Sequence, residues 1–433
     1  MTNEKVEFDN RMEQYATEGS NILKHFYGLS DVKRNEFLKS IEDTDPQLMK
    51  LPHPVTTAGN NFSELSMLLQ FELMGYSIIR ENIRRRVPMI NLEQDLKHFY
   101  PERYNGFRND DSCMNMGGLQ VALFPVYYKH ANGALITVRP GTLSDLVETD
   151  LGQSIPSEFF CAPFQMSYIH LDDANNSLTN QVFNNMSGSH KLSGMYVLET
   201  RIPNLESSDA RADEKTQFLG LDKSKPARVL DIMFVGCPKA HVSDDATYSI
   251  TLYIQDHKEY TMGEIIERHI QHYMRDNQDP TKVGESKYIP LNDREATNFA
   301  SNLDLLAKIL LFINCERELG RKFEQKLNLK EFDKKIAGLG PKKRAKEERK
   351  RKYVYDTLVI GSNNSTIHEA KISNARGEGD SRHRKIHWRR GHFRNQRYGE
   401  GNSKVKVIRI EAALIGKDAL LGKDEVPVKK YTV

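Results

Sequence analysis

The chain has 433 residues, enough for two or three domains, and its 38% hydrophobic, 9% aromatic and 28% charged residues belong to a folded chain, not a disordered one. No apolar run reaches the ~18 residues of a membrane span, since the greasiest stretch, 303–313, carries Asp304 and Lys308. The formal charge of +3 hides an asymmetry: residues 341–433 hold 24 Lys+Arg against 11 Asp+Glu, a net of +13, which leaves 38 against 48, a net of −10, in residues 1–340.

Residues 1–105 read as a helical N-terminal region. Phe62, Leu65, Leu69, Leu73 and Tyr76 form one stripe at helical spacing, and Arg84, Arg85 and Arg86 sit in a last turn that Pro88 ends. The first residues lack the apolar core of a secretory signal, and Cys113, Cys161, Cys237 and Cys315 stand singly, so a cytoplasmic location is expected.

Residues 106–337 read as an acidic α+β body. Residues 119–128 and 134–138 alternate with period two around Asn132 and Gly133, which predicts a hairpin. Further strands are predicted over 164–171, 195–200, 228–235 and 247–255, then long helices over 261–275 and 295–319. Strands first and helices afterwards predict an α+β fold with a largely antiparallel sheet. His269 and His272, one helical turn apart, read as a satisfied surface pair.

Residues 338–352 read as a basic linker or helix, in which Gly338, Gly340 and Pro341 precede eight basic residues within eleven. Residues 353–433 read as a small, basic, β-containing C-terminal domain, with strands over 353–360 and 404–411 bracketing a long loop. A net-positive tail on an acidic body points to a polyanionic partner, or to a tail docked on its own body.

The loop carries the chemistry. Between 381 and 398 it holds seven basic residues and no acidic one, interleaved with Trp388, Phe393, Tyr398 and three histidines. Guanidinium groups of Arg389, Arg390, Arg394 and Arg397 suit phosphate oxygens, and the aromatic faces offer stacking platforms to unpaired bases. Gly391, Gly399 and Gly401 let the backbone turn closely. The same composition also suits a loop that clamps acidic groups of its own protein. His383, His387 and His392 have spacings compatible with a metal set but no cysteine or clean fourth ligand beside them, so neither metal nor cofactor is expected. No catalytic constellation stands out.

This stretch resembles the terminal signature of the second type V-A anti-CRISPR family, found on phages and other mobile genetic elements. That signature has a His and Arg pair leading into Arg-Gly-His, an aromatic, Gly-x-Gly and a closing strand. It falls here on His387, Arg389, Arg390, Gly391, His392, Phe393, Gly399 and Gly401, with Arg409 in the strand. Residues 155–171 resemble the family's Pro-aromatic lead into a tyrosine-bearing strand, and 310–318 its helix end with a cysteine and a glutamate. Ile410 and Ala412 stand where the family pattern has an aromatic and a proline.

The resemblance implies a non-catalytic host-defence antagonist that lowers production of a type V-A Cas nuclease, by recognising its nascent N-terminal segment and causing loss of its mRNA. The expected partners are RNA or the ribosome and the effector's nascent peptide, with no membrane. The alternative is a phage nucleic-acid-binding protein or metal-dependent nuclease unrelated to CRISPR.

Overall fold

The ten residues Ala227–Gly236 are all buried, including two with charged side chains, Arg228 and Asp231. A strand enclosed on both faces must lie inside a sheet. The computed structural model describes residues 30, 32–33, 44–58, 124–125, 128–129, 132–152, 155–178, 182–185, 188–205, 216–239, 246–256, 259–275, 293–318, 323–365, 387–389, 391–410 and 413–415. Its strands in chain order are β1 (Ala134–Val138), β2 (Met166–Leu171), β3 (Val182–Asn185), β4 (Gly188–Ile202), β5 (Ala227–Gly236), β6 (Thr247–Ile254), β7 (Glu324–Lys326) and β8 (Thr357–Ile360). They form one eight-stranded sheet in the order β6-β5-β4-β2-β1-β8-β7, with β3 paired to the start of β4. Strand β1 runs parallel to β2 and β8, and every other pair is antiparallel. The fold is α+β.

The helices are α1 (His53–Ala58), α2 (Pro140–Val147), α3 (Met262–Arg275), α4 (Asp293–Glu318), α5 (Asn328–Ala337) and α6 (Pro341–Glu348). Alternation along β5 sends Leu230, Ile232 and Phe234 into the main core, which they share with Ile265 and Ile270 of α3 and Leu303, Leu306, Leu310 and Ile313 of α4. By length and composition α4 could cross a membrane, but 72% of its most apolar stretch is buried within the protein, as in a core helix. Its Lys308 reaches Asp304 one turn back, at 2.6 Å. The predicted N-terminal helix around 62–76 lies outside the described residues.

Three sequence expectations need correction. First, the described residues of the expected first hairpin arm and just after it, Phe124, Pro125, Tyr128 and Lys129, are helical and not extended. Phe124 and Tyr128, four residues apart, both place their rings about Tyr196 of β4, at 6.0 and 5.8 Å. Asn132 does take a positive φ of 50°, and the Gly133 N–H donates to Tyr128 O at 2.8 Å. Asn-Gly here closes a helical segment, a role as common for positive-φ residues as the hairpin turn. A side chain at 133 would strike the Tyr128 ring.

Second, His269 is buried, not on the surface. Its Nδ1–H donates to Ile265 O at 2.7 Å, and its Nε2 accepts the Tyr253 N–H at 2.9 Å, which fixes the neutral tautomer. Tyr273 OH accepts the Thr251 N–H at 3.4 Å. Side chains of α3 therefore occupy donors on the free edge of β6, where an added strand would otherwise pair.

Third, the loop between the two predicted tail strands contains strands of its own. These are β9 (His387–Arg389) and β10 (His392–Tyr398), followed by β11 (Lys404–Ile410) and β12 (Ala413–Ile415). Strand β9 pairs with β12 and β10 with β11, both antiparallel. Strand β8, within the residues read as tail, takes a place in the body sheet beside β1.

Candidate functional site

Antiparallel pairing divides the β10–β11 hairpin into two rows. Phe393 stands opposite Arg409, Asn395 opposite Val407 and Arg397 opposite Val405, so these six share one face. His392, Arg394, Gln396 and Tyr398 share the other with Lys404, Lys406, Ile408 and Ile410.

The first row holds the hairpin to the body. Phe393 and Val407 are 2% and 3% exposed and belong to the main core. The Cys315 thiol of α4 donates to Val407 O at 3.3 Å. The Arg409 guanidinium lies over the Phe312 ring of α4, 5.2 Å from its centroid, and its Nη2 stands 3.7 Å from Oδ2 of Asp145 in α2. Asp145 is buried and also accepts the Ser365 hydroxyl at 2.5 Å. Backbone bonds complete the seam, from Asp150 N–H to Gly391 O at 2.9 Å and from Phe393 N–H to Asp150 O at 3.2 Å. A side chain at Gly152, whose φ is 77°, would meet Phe393 O. For Arg409 the geometry is that of an internal clamp.

The second row faces outward. Arg394, Gln396, Tyr398 and Lys404 are exposed, and the Lys406 ammonium lies 5.3 Å from the Tyr398 ring centroid. Arg397, on the inner row, is exposed because it lies near the tip, beyond the body's edge. The tip turns through Gly399 (φ 81°), Gly401 (φ 63°) and Asn402 (φ 56°), conformations that suit Gly and Asn. Lys404 and Lys406 are site residues that composition of the 381–398 stretch does not reveal. The two-residue repeat of the closing strand places them beside Arg394 and Tyr398. His387, Trp388 and Arg389 lie on β9, opposite Ile415, Leu414 and Ala413, with only their backbone described, and Arg390 and His383 lie outside the described residues.

The three stretches that carry the family resemblance meet at this seam. The Asn314 amide of α4 donates to Cys161 O at 3.2 Å, one residue from Cys315 with its bond to β11. Arg228 of β5, 4% exposed, donates to Phe160 O at 2.7 Å and Ser157 O at 3.0 Å while pairing with Asp256 at 2.6 Å. Residues 155–161, the end of α4 and the hairpin are thus one packed unit.

A second feature lies at the far ends of β2 and β5. A cleft of about 690 Å³ is bounded by residues 46–56, by β2 and the loop after it, by the start of β4 and by the end of β5. Met49, Leu51 and Leu192 give it apolar walls. His170 and Asp172, two residues apart, lie on the same side of the chain. Burial pushes His170 down to about 4, and its enclosed Nδ1 has no hydrogen-bond partner among the described residues. Burial, then the neighbouring Asp173, pushes the Asp172 carboxyl up. Asp173 pairs with Lys191 and accepts the Leu178 N–H at 3.2 Å. The cleft thus sets apolar walls beside the polar side chains of His53, His170, Asp172, Asp173 and Lys191. Among the described residues no group of three or more His, Cys, Asp or Glu side chains is placed to hold a metal ion.

A mixed-sheet α+β protein that presents a basic, aromatic hairpin on a core-anchored seam is the class defined by this geometry. Residues 136–417 match the anti-CRISPR type V subtype A2 family, AcrVA2-like, and the chain belongs to that family. The crystal structure of AcrVA2 is a structural neighbour, 11% identical, with a TM-score of 0.40 over 83% of this chain and 98% of that one. No curated protein matches the sequence.

Proposed function

We propose that this protein, encoded on a phage or other mobile element and acting in the bacterial cytoplasm, lowers production of a type V-A Cas nuclease through contacts with the nascent effector chain and with its mRNA or the ribosome. Membership of the anti-CRISPR type V subtype A2 family carries the reading. Two features support its division of labour. The outward row of the β10–β11 hairpin supplies Arg394, Lys404, Lys406 and Tyr398 for phosphate contact and base stacking. The cleft beside His170 and Asp172 supplies apolar walls and acceptors for an extended peptide. The protein binds and adapts, and neither feature requires a covalent step.

Co-expression with a type V-A effector tests this reading. Effector mRNA and effector protein should both fall relative to a control lacking the inhibitor. Loss of nuclease activity with mRNA and protein unchanged would point to direct inhibition of the finished enzyme and would overturn the proposal.

A further inference from the structure

Between β7 and β8, which pair directly, the chain leaves the sheet as a helical hairpin, α5 and α6. It is attached at its base. The Asn328 amide donates to Tyr355 O at 2.9 Å, the Leu329 N–H to Asp356 Oδ1 at 2.9 Å, and Lys352 and Tyr353 both reach Asp45. Only Phe332 and Ile336 of α5 are buried, and α6 buries nothing.

Residues 328–353 contain eleven Lys and Arg against four Asp and Glu, a net of +7. Two of those four acids, Glu347 and Asp333, tie the two arms of the hairpin together, and a third, Glu348, pairs within the second arm. Glu347 takes Lys335 and Lys350 at 3.4 and 2.7 Å, while Asp333 and Glu348 take Arg351. Lys342, Lys343, Arg344, Lys346 and Arg349 enter no ion pair among the described residues and are all exposed. At 3.6 residues per turn, Lys342, Lys346 and Arg349 fall on one stripe about 60° wide, spaced about 6 Å and then about 4.5 Å along the axis. Glu347, bonded to α5, lies on the other side of α6. The stripe therefore faces away from α5.

We propose that this stripe is a contact for the phosphate backbone of double-helical RNA. Nothing aromatic or apolar stands among the three cations, so the surface has charge to offer and no stacking platform. A helix mounted at its base presents that charge as a fixed array, which suits a regular, rigid array of phosphates better than a splayed single strand. The outward row of the β10–β11 hairpin, with Tyr398 beside its cations, suits unpaired bases instead. The choice of RNA over DNA rests on the function proposed above.

The test uses the full-length protein and a 20-base-pair RNA duplex, titrated across salt from 50 to 200 mM, with a DNA duplex of the same sequence in parallel. Changing Lys342→Gln, Lys346→Gln and Arg349→Gln together should weaken RNA duplex binding at least about tenfold at the lower salt and reduce the slope of log K against log salt by about two to three. Helical circular dichroism should be unchanged. The same loss of charge at Lys326, Lys330 and Lys334, on β7 and α5, should cost much less. Absence of duplex binding by the wild type at 50 mM salt, an unaltered slope in the stripe variant, an equal loss in the α5 control, or tighter binding of DNA would each overturn the proposal. All four are read on purified protein without an effector, so they stand or fall separately from the effect on effector mRNA.

Discussion

On one face of the β10–β11 hairpin, Phe393 and Val407 end in the core and Arg409 ends on a buried carboxylate of α2. On the other, one residue along each strand, Arg394, Lys404 and Tyr398 end in water. The difference shows how a short basic stretch can satisfy two demands that compete when read as composition. Over the body, the inner-row guanidinium of Arg409 finds an internal acid and stabilises the fold, whereas Arg394 on the outer row and Arg397 near the tip are left for a partner. An arginine's role in this stretch follows from the parity of its position together with its distance from the tip.

The comparison is broken most severely by emptying the inner row. Phe393→Ala should destabilise by about 3–5 kcal/mol, because the ring leaves a cavity at the junction of α4 and the hairpin. Chemical denaturation reads this directly, and a loss below 1 kcal/mol would mean that the hairpin is not part of the core. Next in size, Arg409→Met should cost about 3 kcal/mol by taking the guanidinium away from the buried Asp145 carboxylate. Adding Asp145→Asn should restore part of that loss, and strict additivity of the two changes would argue against a pair.

A smaller effect concerns the cleft. The unfolded chain takes up a proton on His170 near pH 6.5, the folded protein only near 4. Between those values the unfolded state binds more protons, so this group makes stability fall as the pH drops from 6.5 towards 4 and contributes nothing above 6.5. His53, Asp172, Asp173 and Lys191 also line the cleft, so the informative quantity is the wild type minus His170→Gln. That difference should slope over this window and be flat at neutral pH. A flat difference throughout would mean that the ring is hydrated in the folded state.

Much of the body is legible in the sequence where one period runs unbroken. Strands β5 and β6 and helices α3 and α4 fall within a few residues of their expected bounds, since burial on one or both faces leaves a clear apolar pattern. Asn132 and Gly133 mislead because a positive φ ends a helix as readily as it closes a hairpin, and only Tyr196, brought from β4, decides between them. The pairing of β8 with β1 joins residues some 220 apart and leaves no local trace. Strand β10 is hidden by its own function: with Phe393 as its single buried apolar side chain, its alternation is carried by one residue. Its partner β11 shows the alternation better, and carrying that period across the hairpin would have brought Lys404 and Lys406 into the site.

The smallest expected effect on the fold is also the largest expected effect on function. Replacing Arg394, Lys404 and Lys406 together by Ala removes three outward cations and leaves the inner row intact, so unfolding free energy should change by no more than about 1 kcal/mol per site, the ceiling for exposed charges. In cells that also express a type V-A effector, effector mRNA measured beside this folded variant should return most of the way to the level seen without inhibitor. Effector mRNA held as low as by the wild-type protein, with the variant equally abundant and equally stable, would contradict the assignment of the outward row as the contact surface.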